Sequence, residues 1–187
     1  MERVPIRDNP KLFDALFARM QETLHNELPW LDYAFGKAER LVKMIGGRRH
    51  YTPNIYVGGN EYREITPDSN VGNYSFFVLR EPQDINQQGR GLNGKIKAPF
   101  SLIFWFDMRT IEDDDVRGVE DVKQQILHVL QRTYLRNGRF HVSKIYERAE
   151  NIFREYTLDE TDNQYLMHPF AGLRFDGEAD CELPCEL

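Results

Sequence analysis

Phe100-Ser101-Leu102-Ile103-Phe104-Trp105-Phe106-Asp107-Met108 is the stretch on which the interpretation of the whole chain depends. Side chains of a β-strand alternate between two faces, so every second residue from Phe100 to Met108 contributes to one wholly apolar face. The other face carries Ile103 and Trp105 and is too apolar to lie entirely in water. A central strand is therefore predicted. Its second face is covered either by a helix of the same chain or by a partner subunit, which makes Ile103 and Trp105 candidate interface residues.

Helical spacing of apolar residues predicts helices on both sides of this strand. An amino-terminal helix follows Asn9-Pro10 and ends before Pro29. A long central helix is predicted over residues 116–135, where Asn137-Gly138 ends it. Weaker patterns predict a helix over residues 33–44, ended by Gly46-Gly47, and a short one over residues 149–156.

The remaining patterns are those of strands separated by turn residues. Strands are predicted over residues 51–57, 61–66, 74–80, 140–146 and 170–175, and the first two form a hairpin around Gly58-Gly59-Asn60. Several strands followed by a long helix and returning strands indicate an α+β fold. The expected architecture is an antiparallel (mixed) sheet packed against the amino-terminal helix and the long central helix, in a single domain over residues 1–187.

Residues 83–97 are polar and glycine-rich, and a mobile loop is predicted there. Within it, residues 89–94 match the G-x-G-x-x-G spacing of dinucleotide sites, but a strand follows them instead of the helix that such a site needs. Arg90, Lys95 and Lys97 give the segment positive charge. These three residues are predicted to contact an acidic partner, with nucleic acid as a less favoured possibility.

Composition excludes several classes of protein. The chain has 24 basic and 30 acidic residues, a net charge of −6, which disfavours a general nucleic-acid binder. Neither a signal-peptide core near the amino terminus nor a run of roughly 20 apolar residues is present, so a cytoplasmic protein without a membrane span is expected. Cys181 and Cys185 lie in the last seven residues, where they could bridge each other without stapling the fold.

No motif for catalysis or cofactor binding is found. The acidic run Glu112-Asp113-Asp114-Asp115 lacks the spacing of a calcium loop and is better explained as the acidic start of the following helix, with Asp115 as its cap. Two cysteines without a nearby histidine do not complete a zinc shell. The chain is thus expected not to be an enzyme and to need no metal or cofactor, although an active site assembled from distant residues would leave no motif.

Three aromatic-rich stretches carry a family resemblance: residues 28–32 (LPWLD), 101–107 (SLIFWFD) and 165–172 (YLMHPFAG). Together with the predicted order of elements, they resemble phage and prophage proteins, and among these the tail-terminator or tail-completion proteins. The resemblance implies a homo-oligomer, typically a ring of six copies, that caps the tail tube and joins it to the head. It also implies tail or head-tail proteins as partners, assembly in the host cytoplasm and a final place in the virion.

The leading functional hypothesis is therefore a phage structural or assembly protein, a tail terminator or head-tail connector that acts through self-association. Two alternatives remain open from the sequence. One is an enzyme with a dispersed active site, and the other is a nucleic-acid-binding adaptor that uses the basic segment around Arg90.

Overall fold

A computed structural model of the chain describes residues 1–67, 70–88, 93–112, 118–133, 135, 138–158 and 164–183. The helices in these ranges are α1 (Phe13–Glu27), α2 (Val119–Arg132) and the short α3 (Ala149–Ile152), with a 3-10 turn at Met108–Thr110. The strands are β1 (Tyr33–Lys37), β2 (Glu39–Ile45), β3 (Arg48–Gly58), β4 (Glu61–Glu64), β5 (Tyr74–Leu79), β6 (Asp84–Gln88), β7 (Asn93–Asp107), β8 (Gly138–Tyr146) and β9 (Phe170–Glu182).

The strands form two sheets. The larger sheet has the order β1-β5-β7-β9-β8, with β6 paired to the first part of β7, and the smaller sheet has the order β2-β3-β4. The β1–β5 pair is parallel and the others are antiparallel. The predicted α+β class and the single domain built on a mixed sheet describe this arrangement correctly.

The central strand is β7, as predicted, and its Phe100 face is buried beneath helices. Phe100, Leu102, Phe104 and Phe106 share one core cluster with side chains of α1 and α2. Phe104 is fully buried, and its ring lies 5.8 Å from that of Phe175 on β9. The apolar stripes of β7, α1 and α2 therefore form one core between the larger sheet and the two helices.

The predicted long central helix is wrong in length, because α2 covers 14 residues and is no longer than α1. Its start is set by Gly118, whose backbone N–H donates to the carboxylate of Asp121 at 3.0 Å. Its end is set by Thr133, whose hydroxyl donates to the Val129 carbonyl at 2.6 Å. Local capping thus ends a helix that apolar spacing alone extends in both directions. Asp115, the predicted cap, lies outside the described residues.

The second face of β7 is covered by the same chain. Ile103 and Trp105 are 0% and 1% exposed, in a cluster with Ile55 and Val57 of β3 and with Ile152 of α3. The Trp105 indole N–H donates to the Tyr165 carbonyl at 2.5 Å. The cover therefore comes from the same chain, through α3 and the residues that follow it together with β3 of the smaller sheet. Of the two covers that the sequence leaves open, a helix of the same chain contributes to this one.

The helix predicted over residues 33–44 is replaced by β1 and β2. Seven residues of β2 pair in register with β3, from Glu39 opposite Asn54 to Ile45 opposite Arg48. Gly46 and Gly47 have φ values of +58° and +78°, the conformation of a type I′ turn, which joins two strands and does not end a helix. Strand pairing satisfies the backbone groups of a segment whose β-branched residues favour strands.

The loop predicted over residues 83–97 is also corrected. Asp84 pairs with Lys97 and the register continues to Gln88 opposite Asn93, so both ends of the segment are antiparallel strands. Residues 89–92, which hold Arg90 and most of the glycine motif, lie outside the described residues. The mostly polar residues of β6 and of the first part of β7 show no regular apolar alternation, so no strand pattern is apparent in the sequence.

Candidate interaction surface

The five residues predicted to contact a partner do not form one surface. Ile103 and Trp105 are buried inside the chain, so they cannot contact a partner while the fold is closed. Arg90 lies outside the described residues. Lys95 is exposed on β7, and the ammonium of Lys97 donates to the Glu178 carboxylate on β9 at 2.7 Å. That hydrogen bond and the charge of Glu178 raise the pKa of Lys97.

A different surface stands out, at the end of the smaller sheet. We call residues 40–50, at the joined ends of β2 and β3, the hairpin arm. Every residue of the arm except His50 is exposed. Four of these exposed residues are large and apolar: Leu41 at 40%, Val42 at 54%, Met44 at 65% and Ile45 at 55%. The apolar side chains lie on both faces of the ribbon, since neighbouring residues of a strand point in opposite directions.

The arm is also basic. It holds four of the chain's 24 Lys and Arg residues and none of its 30 Asp and Glu residues. The guanidinium of Arg40 lies over the Tyr51 ring, 3.7 Å from its centroid, and Lys43 forms an ion pair with Glu64 of β4. Arg48 and Arg49 are exposed at the turn. A basic, apolar ribbon is suited to contact another protein surface of negative charge.

The sequence contained a signal for this arm. Gly46-Gly47 between an apolar run and a basic run is typical of a two-residue hairpin, but the weak helical spacing of the preceding residues favours a helix that these glycines would end. The exposure of these apolar side chains does not follow from the sequence. It depends on which other elements pack against β2 and β3 in the folded chain.

A group of charges centred on the buried residues Arg174 and Asp176 occupies the second face of β7 and β9. We call it the arginine cluster: Arg80, Arg154 and Arg174 with Glu155, Asp176 and Ser101. The guanidinium of Arg174 donates from Nε to Asp176 at 2.7 Å and from one terminal nitrogen to both Ser101 at 2.8 Å and Glu155 at 2.7 Å. Arg154 donates to the second oxygen of Asp176 at 2.8 Å. Arg174 is 0% exposed and Asp176 5%.

Electrostatics hold this cluster in its ionised form. Burial acts to raise the pKa of Asp176, but hydrogen bonds from Ser101 and Arg174 and the charges of Arg174 and Arg80 outweigh it and leave the pKa below its usual value. Burial likewise acts to lower the pKa of Arg174. Hydrogen bonds to Glu155 and Asp176 and the charges of these two carboxylates outweigh burial and leave the pKa above its usual value. The paired charges fasten α3 and the residues after it to β9, which is a structural role.

Other candidate sites include a small groove and the acidic run that begins at Glu112. A groove between the amino-terminal segment and α1, lined by Arg7 and Gln21 among others, has a volume of about 30 Å³, which admits water but not a substrate-sized molecule. Within the described part of the chain, no three His, Cys, Asp or Glu side chains are grouped to hold a metal ion. Glu112 is described and exposed, while Asp113, Asp114 and Asp115 fall outside.

The two cysteines, Cys181 and Cys185, lie four residues apart in the sequence. Cys181 is buried on β9 and free, and burial raises the pKa of its thiol, followed in effect by the charges of Asp180 and Glu182. Cys185 lies beyond the last described residue. No helix in the described ranges is long and apolar enough to span a membrane.

Comparison of the sequence with models of protein families, and with curated proteins, gives no match in either case.

Proposed function

We propose that this chain is a structural protein of phage assembly, a tail terminator or head-tail connector, that works through self-association. The observation that carries the self-association is the hairpin arm, on which four large apolar side chains are between 40% and 65% exposed. Such a group of exposed apolar residues, with basic side chains around it, is typical of a surface that another protein covers. The phage role is supported by the resemblance of the aromatic-rich stretches.

Charge supports a contact between copies. All four charged residues of the arm are basic, whereas the chain as a whole carries a net charge of −6. The arm of one copy therefore meets an electrostatically favourable surface on the body of another. The proposed partners are other copies of the chain, as in a six-membered ring, and proteins of the phage tail or head-tail junction. Assembly takes place in the host cytoplasm, and the product is part of the virion.

The first test is the mass of the purified chain in solution, measured by multi-angle light scattering over a dilution series. We expect a defined oligomer whose mass falls on dilution. A matched pair of variants locates the contact: Ile45→Asp places a charge on the arm, and Ile85→Asp places the same charge at a similarly exposed isoleucine, 63% exposed on β6. Ile45→Asp should weaken association, and Ile85→Asp should not.

A chain that remains monomeric at the highest attainable concentration would contradict self-association. The phage role has its own test, which is deletion of the coding sequence from the phage or prophage that carries it. Loss of a terminator or connector should leave unjoined heads and tails in electron micrographs of the lysate. Normal, infectious particles from the deletion strain would contradict that role.

A further inference from the structure

Strand β2 is an edge strand with little protection against pairing. It pairs with β3 alone among the described strands, so its other edge faces outward. Natural edge strands are usually shielded by prolines, bulges, several charges or a covering element. β2 has no proline and no bulge, and after Glu39 and Arg40 it carries four apolar residues and one lysine from Leu41 to Ile45. A regular, apolar edge of this kind is a template for a strand from another molecule.

The contacts of β3 show which backbone groups of β2 point outward. Tyr51 uses its N–H and its carbonyl on the side away from β2, since the N–H donates to the Thr157 hydroxyl at 3.2 Å and the carbonyl accepts from the Thr157 N–H at 2.7 Å. Val42, which lies opposite Tyr51, therefore directs its own N–H and carbonyl to the free edge.

Pro53 gives the same result for the neighbouring pair. It has no N–H, its carbonyl accepts from Ile65 at 3.0 Å, and it lies opposite Arg40. Arg40 and Val42 consequently present backbone donors and acceptors at regular spacing along the outer edge of β2, where no described strand pairs with them. Leu41, between them, bonds inward to β3.

From this edge we infer that β2 pairs antiparallel with β2 of a second copy of the chain, about a two-fold axis at Leu41. This inference rests on the proposed self-association and names its contact. Arg40 of each copy then bonds with Val42 of the other, and the two Leu41 side chains lie opposite each other. Each Glu39 lies directly opposite Lys43 of the other copy, so that two pairs of opposite charges flank the leucines.

Charge favours this register over its neighbours. An axis at Lys43 would place two lysines directly opposite each other, which is destabilising, and an axis at Val42 would place Glu39 opposite Ile45. Glu39 already contacts Lys37 at 2.9 Å and Lys43 contacts Glu64, but these side chains are 47% and 50% exposed. Exposed ion pairs of this kind are worth little and exchange partners readily.

The antiparallel arrangement also separates the basic turns. With a rise of about 3.3 Å per residue, Ile45 lies about 13 Å from an axis at Leu41, so the two turns point away from each other. Arg48 and Arg49 of one copy then lie beside the body of the other copy, and the charge outside the arm is strongly negative. A two-fold contact closes on itself, so a six-membered assembly would require a second interface.

Disulfide trapping tests the register in the full chain. Residues directly opposite each other in a non-hydrogen-bonded pair have Cα atoms about 4.5 Å apart, which a disulfide can span. We expect Leu41→Cys to give a covalent dimer on mild oxidation. The matched control is Met44→Cys, which is more exposed, 65% against 40%, but would lie about 20 Å from its symmetry mate. The parent chain shows the background from Cys181 and Cys185.

A second variant tests the pairing itself. Val42→Pro removes an N–H that points outward, so the β2–β3 ladder is retained while the contact between copies loses two hydrogen bonds. Its control, Val42→Ala, keeps the N–H. We expect the dissociation constant of Val42→Pro to exceed that of Val42→Ala by tenfold or more, with melting curves showing that both are folded.

Equal dissociation constants for these two variants, or a dimer from Met44→Cys or Lys43→Cys in place of Leu41→Cys, would overturn the inference. If the parent chain nevertheless shows an oligomeric mass, the proposed self-association stands and its contact lies elsewhere. A monomeric parent chain would overturn both.

Discussion

Arg174 and Asp176 lie two residues apart on β9, and Nε of Arg174 donates to Oδ1 of Asp176 at 2.7 Å while both side chains are almost completely buried. Charges in such a place are stable only when each has partners. Ser101, directly opposite Asp176 on β7, supplies a hydroxyl to the same carboxylate oxygen at 2.7 Å. The stability of the second face of the larger sheet therefore depends on the few hydrogen bonds that Arg174 and Asp176 form.

Removing the carboxylate charge of Asp176 should therefore destabilise the folded chain. We expect Asp176→Asn to lower the free energy of unfolding by about 3–5 kcal/mol, because it leaves buried Arg174 with one carboxylate in place of two. Urea unfolding followed by circular dichroism measures the change. The control is Glu178→Gln on the same strand, which disrupts the exposed ion pair with Lys97 and should cost about 1 kcal/mol at most. Equal effects of the two variants would contradict a structural role for the arginine cluster.

Stability should also depend on pH through the same carboxylate. The pKa of Asp176 is lowered in the folded chain, and a hydrogen bond from Arg109 lowers the pKa of Asp107. A carboxyl group with a lowered folded pKa contributes stability that is complete above its unfolded pKa of about 3.9 and is lost as the pH falls through the folded pKa. The urea midpoint should fall on acidification below about pH 5. It should fall less steeply in Asp176→Asn, and an unchanged slope would exclude Asp176 as the source.

The core of the helical side is tested by Phe104→Ala. Phe104 is fully buried between β9 and Trp30, with ring centroids 6.2 Å apart in the latter pair. Truncation should cost about 3–5 kcal/mol, which is enough to unfold a marginal domain. Ile85→Ala, at a position 63% exposed, should leave the melting temperature nearly unchanged. An unaltered melting temperature in Phe104→Ala would show that this assignment of the core is wrong.

Tryptophan fluorescence tests whether the second face of β7 is closed within one chain. Trp30 and Trp105 are 5% and 1% exposed, so the emission of diluted, unassociated chain should be blue-shifted and weakly quenched by acrylamide. Trp105→Phe isolates the signal of Trp30, and urea-unfolded chain gives the exposed limit. Strong quenching of Trp105 at high dilution would mean that this face opens in the free chain and is available to a partner.

Much of the fold could be predicted because its apolar pattern is regular. The period of two around Phe104 gave the central strand, and the spacing around Leu16 gave α1. The errors arose where one residue pattern suits two structures. Leu41 to Ile45 is as compatible with a helix as with a strand, and pairing with β3 decides between them. The hairpin arm could not be predicted for the same reason, since most of β2 lies in the segment whose spacing predicts a helix.

The sequence by itself determined the α+β class, the central strand and its apolar faces, because the periodicity of hydrophobic residues reflects one-sided burial within each element. Only the tertiary structure decided which apolar residues are covered. Trp105 and Val42 are both apolar strand residues, yet Trp105 is 1% exposed in a core cluster and Val42 is 54% exposed on the hairpin arm. Burial depends on contacts between segments far apart in the chain, and no local pattern records them.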